Sequence, residues 1–189
     1  MERIIATYFI ETPLAVEKAA ATLAGEQSSG TFVEVPGETA ELKQRFAARE
    51  TWKGIEIRRL PATGLGKGAK WKRAVDFGSF SAACTLRLLT AGRYDAVVAL
   101  TSPPLVSYLA AWFCRLRGAK LFYWVMDMNP DEAIAAGWLR AGSPPTRALE
   151  VMSRFSLQQS HRIIALDRFM RDRIVAKGIP SERVAVIAP

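Results

Sequence analysis

The chain has 189 residues, half of them hydrophobic, and a formal net charge of +8. This length and apolar content suit one ordinary domain, or one domain and a fragment, and they exclude an intrinsically disordered chain. The longest apolar stretch, residues 97–128, is broken by prolines and basic residues. It falls short of the roughly 20 uninterrupted residues of a membrane-spanning helix, so we expect a cytoplasmic protein.

The charge is unevenly distributed along the chain. Residues 1–50 carry 8 acidic and 5 basic residues, whereas residues 51–189 carry 10 acidic and 21 basic residues. Such asymmetry predicts parts with different partners or origins. A basic face suits an anionic membrane surface or a phosphorylated substrate, or it simply keeps the surface solvated. Nucleic acid is disfavoured as a partner, because the basic residues are scattered and match no recognised motif.

The first fifty residues predict the order β-α-β-α. The β-branched and aromatic run IIATYFI at residues 4–10 is typical of a strand. Thr12 and Pro13 then suit the start of a helix that ends at Gly25. FVEV at residues 32–35 predicts the next strand, and residues 38–50 predict a second helix.

After Lys53 the pattern becomes a regular alternation of strands and helices. GIEIRRL predicts a strand, GLGKGAK a mobile basic loop, and residues 73–91 a helix. The loop lacks the GK[ST] ending of a phosphate-binding P-loop. Four apolar strands follow, separated by helices: YDAVVALTS, AKLFYWVMDMNP, RIIALD and RVAVIAP. Apolar strands alternating with helices predict an α/β fold with a parallel sheet covered on both faces.

Polar residues follow three of these strands, where ligands of such sheets bind. They are Thr101 to Pro104, Asp127 to Glu132, and Asp167 with Arg168. Asp127 could orient a sugar hydroxyl or act as a base. We interpret Asp131 and Glu132 as first-turn acids that cap a helix, and Ser143 and Asp167 as helix N-caps.

Other candidate sites have simpler interpretations. Cys84 and Cys114 lie in apolar surroundings without metal-ligand spacing, which predicts reduced core cysteines. His161 precedes a strand, at the end of the sheet opposite to the ligand-binding edge, and we expect it to be structural. The sequence predicts neither a metal site nor a cofactor.

Residues 3–50 resemble the start of the RuBisCO large chain, especially its archaeal-type and RuBisCO-like branches. The marks are IIATY, the EKAA helix, EQSSGTF and VPGET. The resemblance implies a piece of ferredoxin-like origin, with Glu26 and Thr31 at positions that border a phosphate site in that family. Phe32 replaces the usual tryptophan, which favours the RuBisCO-like branch. The family's catalytic barrel and magnesium ligands have no counterpart in this sequence, so both positions are interpreted as vestigial.

Residues 54–189 resemble the N-terminal, acceptor-binding half of a GT-B, family 4-like glycosyltransferase. The marks are YDAVVALTSPPL, LRGAKLFYWVMDMNPDEAIAAG, SRFSLQQS and RIIALDRFMRDRIVAKGIP. The resemblance implies a Rossmann-like sheet lacking its first strand–helix unit, and a nucleotide-sugar donor bound by a second domain. By resemblance, an acceptor that is often lipid-linked would meet Ser102, Pro103, Pro104, Asp127, Asn129 and Glu132.

Three functions follow from these patterns. The first is the acceptor side of a truncated or fused glycosyltransferase, with residues 1–50 and 51–189 as separate parts and no turnover of its own. The second is a non-catalytic, basic interaction module, peripheral on the inner face of a membrane. The third, RuBisCO-like enolase or carboxylase activity, is the least favoured, because neither a barrel nor a metal site is present in the sequence.

Overall fold

The computed structural model describes residues 3–10, 29–36, 48–52, 55–60, 63, 65, 70–101 and 105–187. The chain divides into two compact units, Met1–Val97 and Val98–Pro189. Several predictions lie outside the described residues: the helix of residues 12–25, most of the GLGKGAK loop, and the candidate site residues Glu26, Ser102, Pro103 and Pro104.

The described residues of the first unit include four strands whose order in the sheet is β3-β4-β2-β1. Their bounds are Arg3–Ile10 for β1, Ser29–Pro36 for β2, Arg49–Trp52 for β3 and Ile55–Arg59 for β4. β2 pairs in parallel with both β1 and β4, and β3 is antiparallel to β4. The three strands predicted from IIATYFI, FVEV and GIEIRRL are therefore confirmed.

The prediction of a helix over residues 38–50 is wrong for its last two residues. Arg49 and Glu50 belong to β3, where they pair with Arg58 and Ile57 of β4. The helix formers in this stretch favour a helix locally, but pairing with a neighbouring strand overrides such local preferences.

Within the described residues of the first unit, one helix, α1, spans Lys70–Leu89, close to the predicted range. It buries Phe80, Cys84 and Leu88 along one side, at the spacing expected of an amphipathic helix. Asp76 of this helix accepts hydrogen bonds from the Thr63 hydroxyl and the Leu65 backbone N–H. These bonds fasten the preceding segment to the first half of the helix.

The second unit has the β-α-β alternation that the sequence predicts. Its elements are β5 (Ala96–Leu100, which begins in the last two residues of the first unit), α2 (Val106–Arg117), β6 (Lys120–Val125), α3 (Asp131–Ala135), α4 (Pro144–Gln159), β7 (Arg162–Ala165), α5 (Arg168–Ala176), a 3-10 turn (Ser181–Arg183) and β8 (Val184–Val186). The strand order is β5-β6-β7-β8, and β7 pairs in parallel with β6 and β8. The predicted α/β, Rossmann-like fold is confirmed.

Local signals account for the helix ends. α2 stops at Gly118, whose φ of 72° suits a residue without a side chain. Asp167 is the N-cap of α5, and its carboxylate accepts from the Met170 N–H at 2.7 Å, as predicted. Ser143 stands at the N-cap of α4 but makes no side-chain capping bond. Its hydroxyl lies 2.9 Å from the Thr146 hydroxyl instead.

One core cluster of the second unit joins its strands to α4 and α5. It is built from strand residues with the inward sides of α4 and α5: Tyr123, Val125, Met128, Leu157, Ile163, Ala165, Ile174, Ile179 and Val184. Cys84 and Cys114 are free and buried, which confirms the predicted core cysteines. Within the part of the chain that the structure describes, no helix has the length and hydropathy needed to cross a membrane.

Candidate functional site

The carboxyl ends of β5 and β6 are joined by Thr101. Its hydroxyl oxygen accepts from the backbone N–H groups of Met126 and Asp127, each at 3.3 Å. Thr101 itself is only 6% exposed. This bridge places the first residues after both strands at one edge of the sheet, where parallel α/β folds bind ligands.

Asp127 has an environment that suits proton transfer. Its partial burial raises the pKa of its carboxyl above the ordinary value, and the neighbouring charge of Glu132 raises it further. A hydrogen bond from the Thr101 hydroxyl opposes this shift. The carboxylate is thus a better proton acceptor than a solvent-exposed aspartate, and it has a fixed donor that holds its orientation.

Glu132 and Asp131 hold the loop after β6 in place. The Glu132 carboxylate accepts from the Met128 N–H at 2.8 Å, which closes the turn that precedes α3. Glu132 and Asp131 lie in the first turn of α3, as predicted, but Asp131 makes no capping bond there. It instead forms ion pairs with Arg173 at 3.1 Å and Lys177 at 2.9 Å, because α5 brings both basic groups within reach.

Beside this loop lies a small cavity of about 40 Å³. Its lining is Thr101, Leu105, Ser107, Tyr108, Tyr123, Asn129, Leu149, Met152, Ser153 and Ser156. Burial raises the pKa of the Tyr123 hydroxyl, which also receives a hydrogen bond from Ser107. The cavity is much smaller than the roughly 300 Å³ of the smallest drug-sized sites, so it can hold only one small group of a larger ligand.

The structure brings some of the predicted site residues together and separates others. Asn129 lines the cavity, and Asp127 lies beside it through Thr101. Glu132 is directed to the backbone of its own loop. Thr31 stands within β2 of the first unit, paired with Ile5 of β1.

Sequence reasoning missed the hydroxyl-bearing side chains of this cavity. Ser107 and Tyr108 lie in the first turn of α2, Tyr123 in β6, and Ser153 and Ser156 on α4. The two α4 serines are three residues apart, which places them on one side of the helix. A signal for this cavity was present in the sequence. It is the recurrence of hydroxyl side chains three residues apart on a helix next to the end of a strand.

Curated relatives match the N-terminal region of the chain. The 3-oxo-isoapionate-4-phosphate decarboxylase of Rhizobium etli is 63% identical over 46 residues, which are 24% of this chain and 11% of that protein. The 3-oxo-isoapionate-4-phosphate transcarboxylase/hydrolase of Xanthobacter autotrophicus is 56% identical over 48 residues, 25% of this chain and 12% of that protein. The chain thus spans about a tenth of these relatives. A ribulose bisphosphate carboxylase-like protein of Bordetella bronchiseptica also matches, which confirms the RuBisCO-like resemblance.

Solved structures match nearly the whole chain in fold. Sucrose-phosphate synthase from Thermosynechococcus elongatus aligns with a TM-score of 0.59 and 10% identity, covering 100% of this chain and 48% of that one. UDP-GlcNAc 2-epimerase from Neisseria meningitidis, bound to UDP-GlcNAc, aligns with a TM-score of 0.58 and 12% identity, covering 97% and 46%. Anabaena HepE, in complex with UDP and glucose, gives 0.54 and 13%, covering 100% and 44%. The chain therefore spans less than half of each structure.

The family comparison covers far more of the chain than the curated relatives do. Residues 15–189 match the glycosyl transferase 4-like domain. That range begins well before residue 54, where the glycosyltransferase motifs start in the sequence, and the two compact units meet at residue 97. A part boundary near residue 50 stays a prediction. With more than nine-tenths of its residues matched, the chain belongs to the glycosyl transferase 4-like family.

Proposed function

We propose that this chain is the acceptor-binding side of an enzyme that transfers a sugar from a nucleotide-sugar to a hydroxyl group. The observation that carries the proposal is the partly buried Asp127, held by Thr101 at the carboxyl edge of β5 and β6 beside a small cavity to which Asn129 contributes. Asn129 is exposed at this cavity, and its side-chain amide can both donate to and accept from a hydroxyl group, which suits a neutral polyol acceptor. Membership of the glycosyl transferase 4-like family supports the same function.

In this proposal Asp127 receives the proton of the acceptor hydroxyl as that oxygen bonds to the anomeric carbon of the sugar. The bond from that carbon to the nucleotide diphosphate breaks, and the nucleotide leaves with the electron pair. Burial and Glu132 raise the pKa of Asp127, which strengthens it as a proton acceptor. Asn129 would orient the acceptor from the cavity, and Ser102, Pro103 and Pro104 would shape the neighbouring loop. Glu132 would act indirectly, since its carboxylate holds the Met128 N–H.

The donor in this proposal is a UDP-sugar, held by a second domain. Relatives of the same fold bind UDP-GlcNAc in the Neisseria meningitidis epimerase and UDP with glucose in HepE. Each of those chains is about twice as long as the part that this sequence covers. These 189 residues would then supply one side of a cleft, and the parent enzyme would be complete only with the donor side.

The proposal predicts that the 189-residue chain alone has no transferase activity, whereas joining it to the donor half of a family relative produces transfer. Activity would be measured with radiolabelled UDP-sugars and a lipid-linked saccharide acceptor, comparing the two proteins at equal concentration. Saturable transfer by the 189-residue chain alone would contradict the proposal that donor binding requires a second domain. The matched control is the joined protein with Asn129→Ala, for which we expect a higher KM for the acceptor at an unchanged KM for the donor.

A second candidate function is reversible binding to an anionic membrane surface. Trp112 and Leu116 of α2 and Val151 of α4 are exposed. Trp112 stacks on Phe155 with ring centroids 5.1 Å apart, which joins the two helices into one apolar face. Arg115 and Arg154 lie on the same two helices. Aromatic side chains with adjacent arginines are typical of proteins that bind the lipid interface.

Membrane binding predicts co-sedimentation with vesicles that contain anionic lipid, weakened in high salt because the arginine contribution is screened. Trp112→Ser together with Leu116→Ser should lower the bound fraction several-fold, since the apolar contribution scales with buried area. Phe169→Ser, which removes an exposed aromatic from α5, is the control. Equal sedimentation with neutral and anionic vesicles, or none at either salt concentration, would reject this function.

A further inference from the structure

The solvent side of α1 carries a continuous apolar stripe. Four large side chains along it are strongly exposed: Trp71 at 61%, Val75 at 42%, Leu86 at 65% and Leu89 at 62%. Gly78 and Ala82 lie between them and are also exposed. At 100° per residue these six positions fall within an arc of about 80°, so they form one narrow face.

No charged residue stands within this face. The nearest charged position is Lys72, about 40° beyond the edge of this arc at Leu86, and its Nζ lies 5.9 Å from the Trp71 ring centroid. Ser79 and Thr85 border the stripe with small hydroxyl groups. Exposed apolar residues are ordinary when scattered, but a contiguous patch with a polar rim is typical of a surface that another molecule covers.

Gly78 gives a second reason to expect a partner on this face. Glycine is among the least favourable residues in a helix interior. Nothing lies within 4 Å of a Cβ built at position 78, so packing within the chain does not require glycine there. Its φ is also outside the positive range that would demand glycine. A glycine at the middle of an exposed stripe would allow another helix backbone to approach closely.

The order of small and large side chains along the stripe is nearly the same from either end of the helix. This two-fold pattern favours a second copy of α1 as the partner. About a midpoint at residue 80, Gly78 corresponds to Ala82, Val75 to Leu86 and Trp71 to Leu89. A two-fold axis at that midpoint sets two copies of α1 antiparallel, with the small residues facing each other at the centre and large residues covering both ends. Such an interface is isologous, the commonest kind in soluble oligomers. We propose that α1 is the contact by which two copies of this chain form a homodimer.

The size of the surface sets the expected strength of the dimer. Covering four large apolar side chains on each of two copies buries on the order of 1,000 Å², the lower bound of a specific interface. An interface of that size predicts a dissociation constant in the micromolar range, roughly 1–100 µM. The dimer should therefore depend on concentration.

Sedimentation equilibrium on the 189-residue chain, from about 1 to 200 µM, tests the proposal. We expect the mass to rise from one chain to two across this range. Leu86→Glu should weaken the dimer at least tenfold, because it places a charge opposite apolar side chains of the second copy. Gly78→Leu should do the same by blocking the close approach, while far-UV circular dichroism shows an intact fold. Gly78→Leu fits the open space around this position in the monomer, so a loss of the dimer cannot be attributed to unfolding.

Leu116→Glu is the matched control, because Leu116 is 71% exposed on α2 of the second unit. It makes the same chemical change away from α1 and should leave the dimer intact. A wild-type chain that stays monomeric throughout the range would overturn the proposal. It would equally be overturned if Leu116→Glu dissociated the dimer while Leu86→Glu did not, or if Gly78→Leu left the dissociation constant unchanged.

Discussion

Replacing Asp127 with asparagine should lower kcat of the completed transferase about 10²- to 10⁴-fold, the usual contribution of a general base. Asparagine keeps the size and the hydrogen-bonding oxygen of the aspartate but cannot accept the proton from an acceptor hydroxyl. The proposal therefore predicts a large fall in kcat with little change in KM for the donor. Steady-state kinetics with a UDP-sugar would measure both constants.

The same variant should be more stable than the wild-type protein at neutral pH. The folded protein raises the pKa of Asp127, so the folded state binds its proton more tightly than the unfolded chain does. The stability contributed by this group is complete below the ordinary aspartate pKa and is lost as the pH rises through the folded value. Asparagine does not ionise, so the variant avoids that loss. The melting temperature of Asp127→Asn should therefore exceed that of the wild-type protein at pH 7 and differ little from it near pH 3.

Asp172→Asn is the control for both measurements, since Asp172 is exposed on α5. It should leave kcat unchanged and change the melting temperature at pH 7 little, because this side chain is exposed. If Asp127→Asn retained wild-type kcat, Asp127 would not be the base. If its stability gain were the same at both pH values, the raised pKa would not be its cause.

Truncating Ile174 to alanine should destabilise the second unit by about 2–5 kcal/mol. Ile174 is fully buried in the core between α5 and the sheet, so its removal leaves a cavity. The consequence reaches the candidate site, because the same helix carries Arg173, and Lys177 follows it directly. Both residues pair with Asp131 at the start of α3.

Urea unfolding followed by circular dichroism would measure this loss, and hydrogen exchange of the β7 and β8 amides would localise it to the second unit. Ile174→Val should cost about 0.5–1.5 kcal/mol, because it removes a single methyl group. Val151→Ala, at a position 68% exposed on α4, should change stability by less than about 0.5 kcal/mol. A loss as small for Ile174→Ala as for Val151→Ala would show that α5 is not anchored through this side chain.

Most of the second unit was predictable because its signals are local. The apolar runs that form β6 and β7 need no polar alternation, since helices cover a parallel sheet on both faces. Asp167 caps its helix as predicted, because the cap and its Met170 partner are only three residues apart. The first unit was less predictable at Arg49 and Glu50, where pairing with β4 decides the conformation.

The candidate site was predictable only in outline. Asp127 follows an apolar strand, and that position alone places it at the ligand edge of the sheet. The roles of its neighbours depend on residues distant in sequence. Asp131 pairs with residues 42 and 46 positions away, so its first-turn location suggested a cap that the structure does not contain. The cavity combines α2, β6 and α4, and no local pattern could show that these hydroxyl groups meet.

The burial of the two cysteines has a practical consequence for spectroscopy. Burial raises the pKa of Cys84 to about 11 and of Cys114 to about 12. At pH 7 fewer than about one in a thousand of either thiol would be the reactive thiolate. The chain therefore offers a background in which a cysteine introduced on the surface outside the α1 stripe, such as Arg93→Cys just after α1, reacts selectively with a maleimide dye. Distances between labelled copies could then be measured by energy transfer without replacing either native thiol.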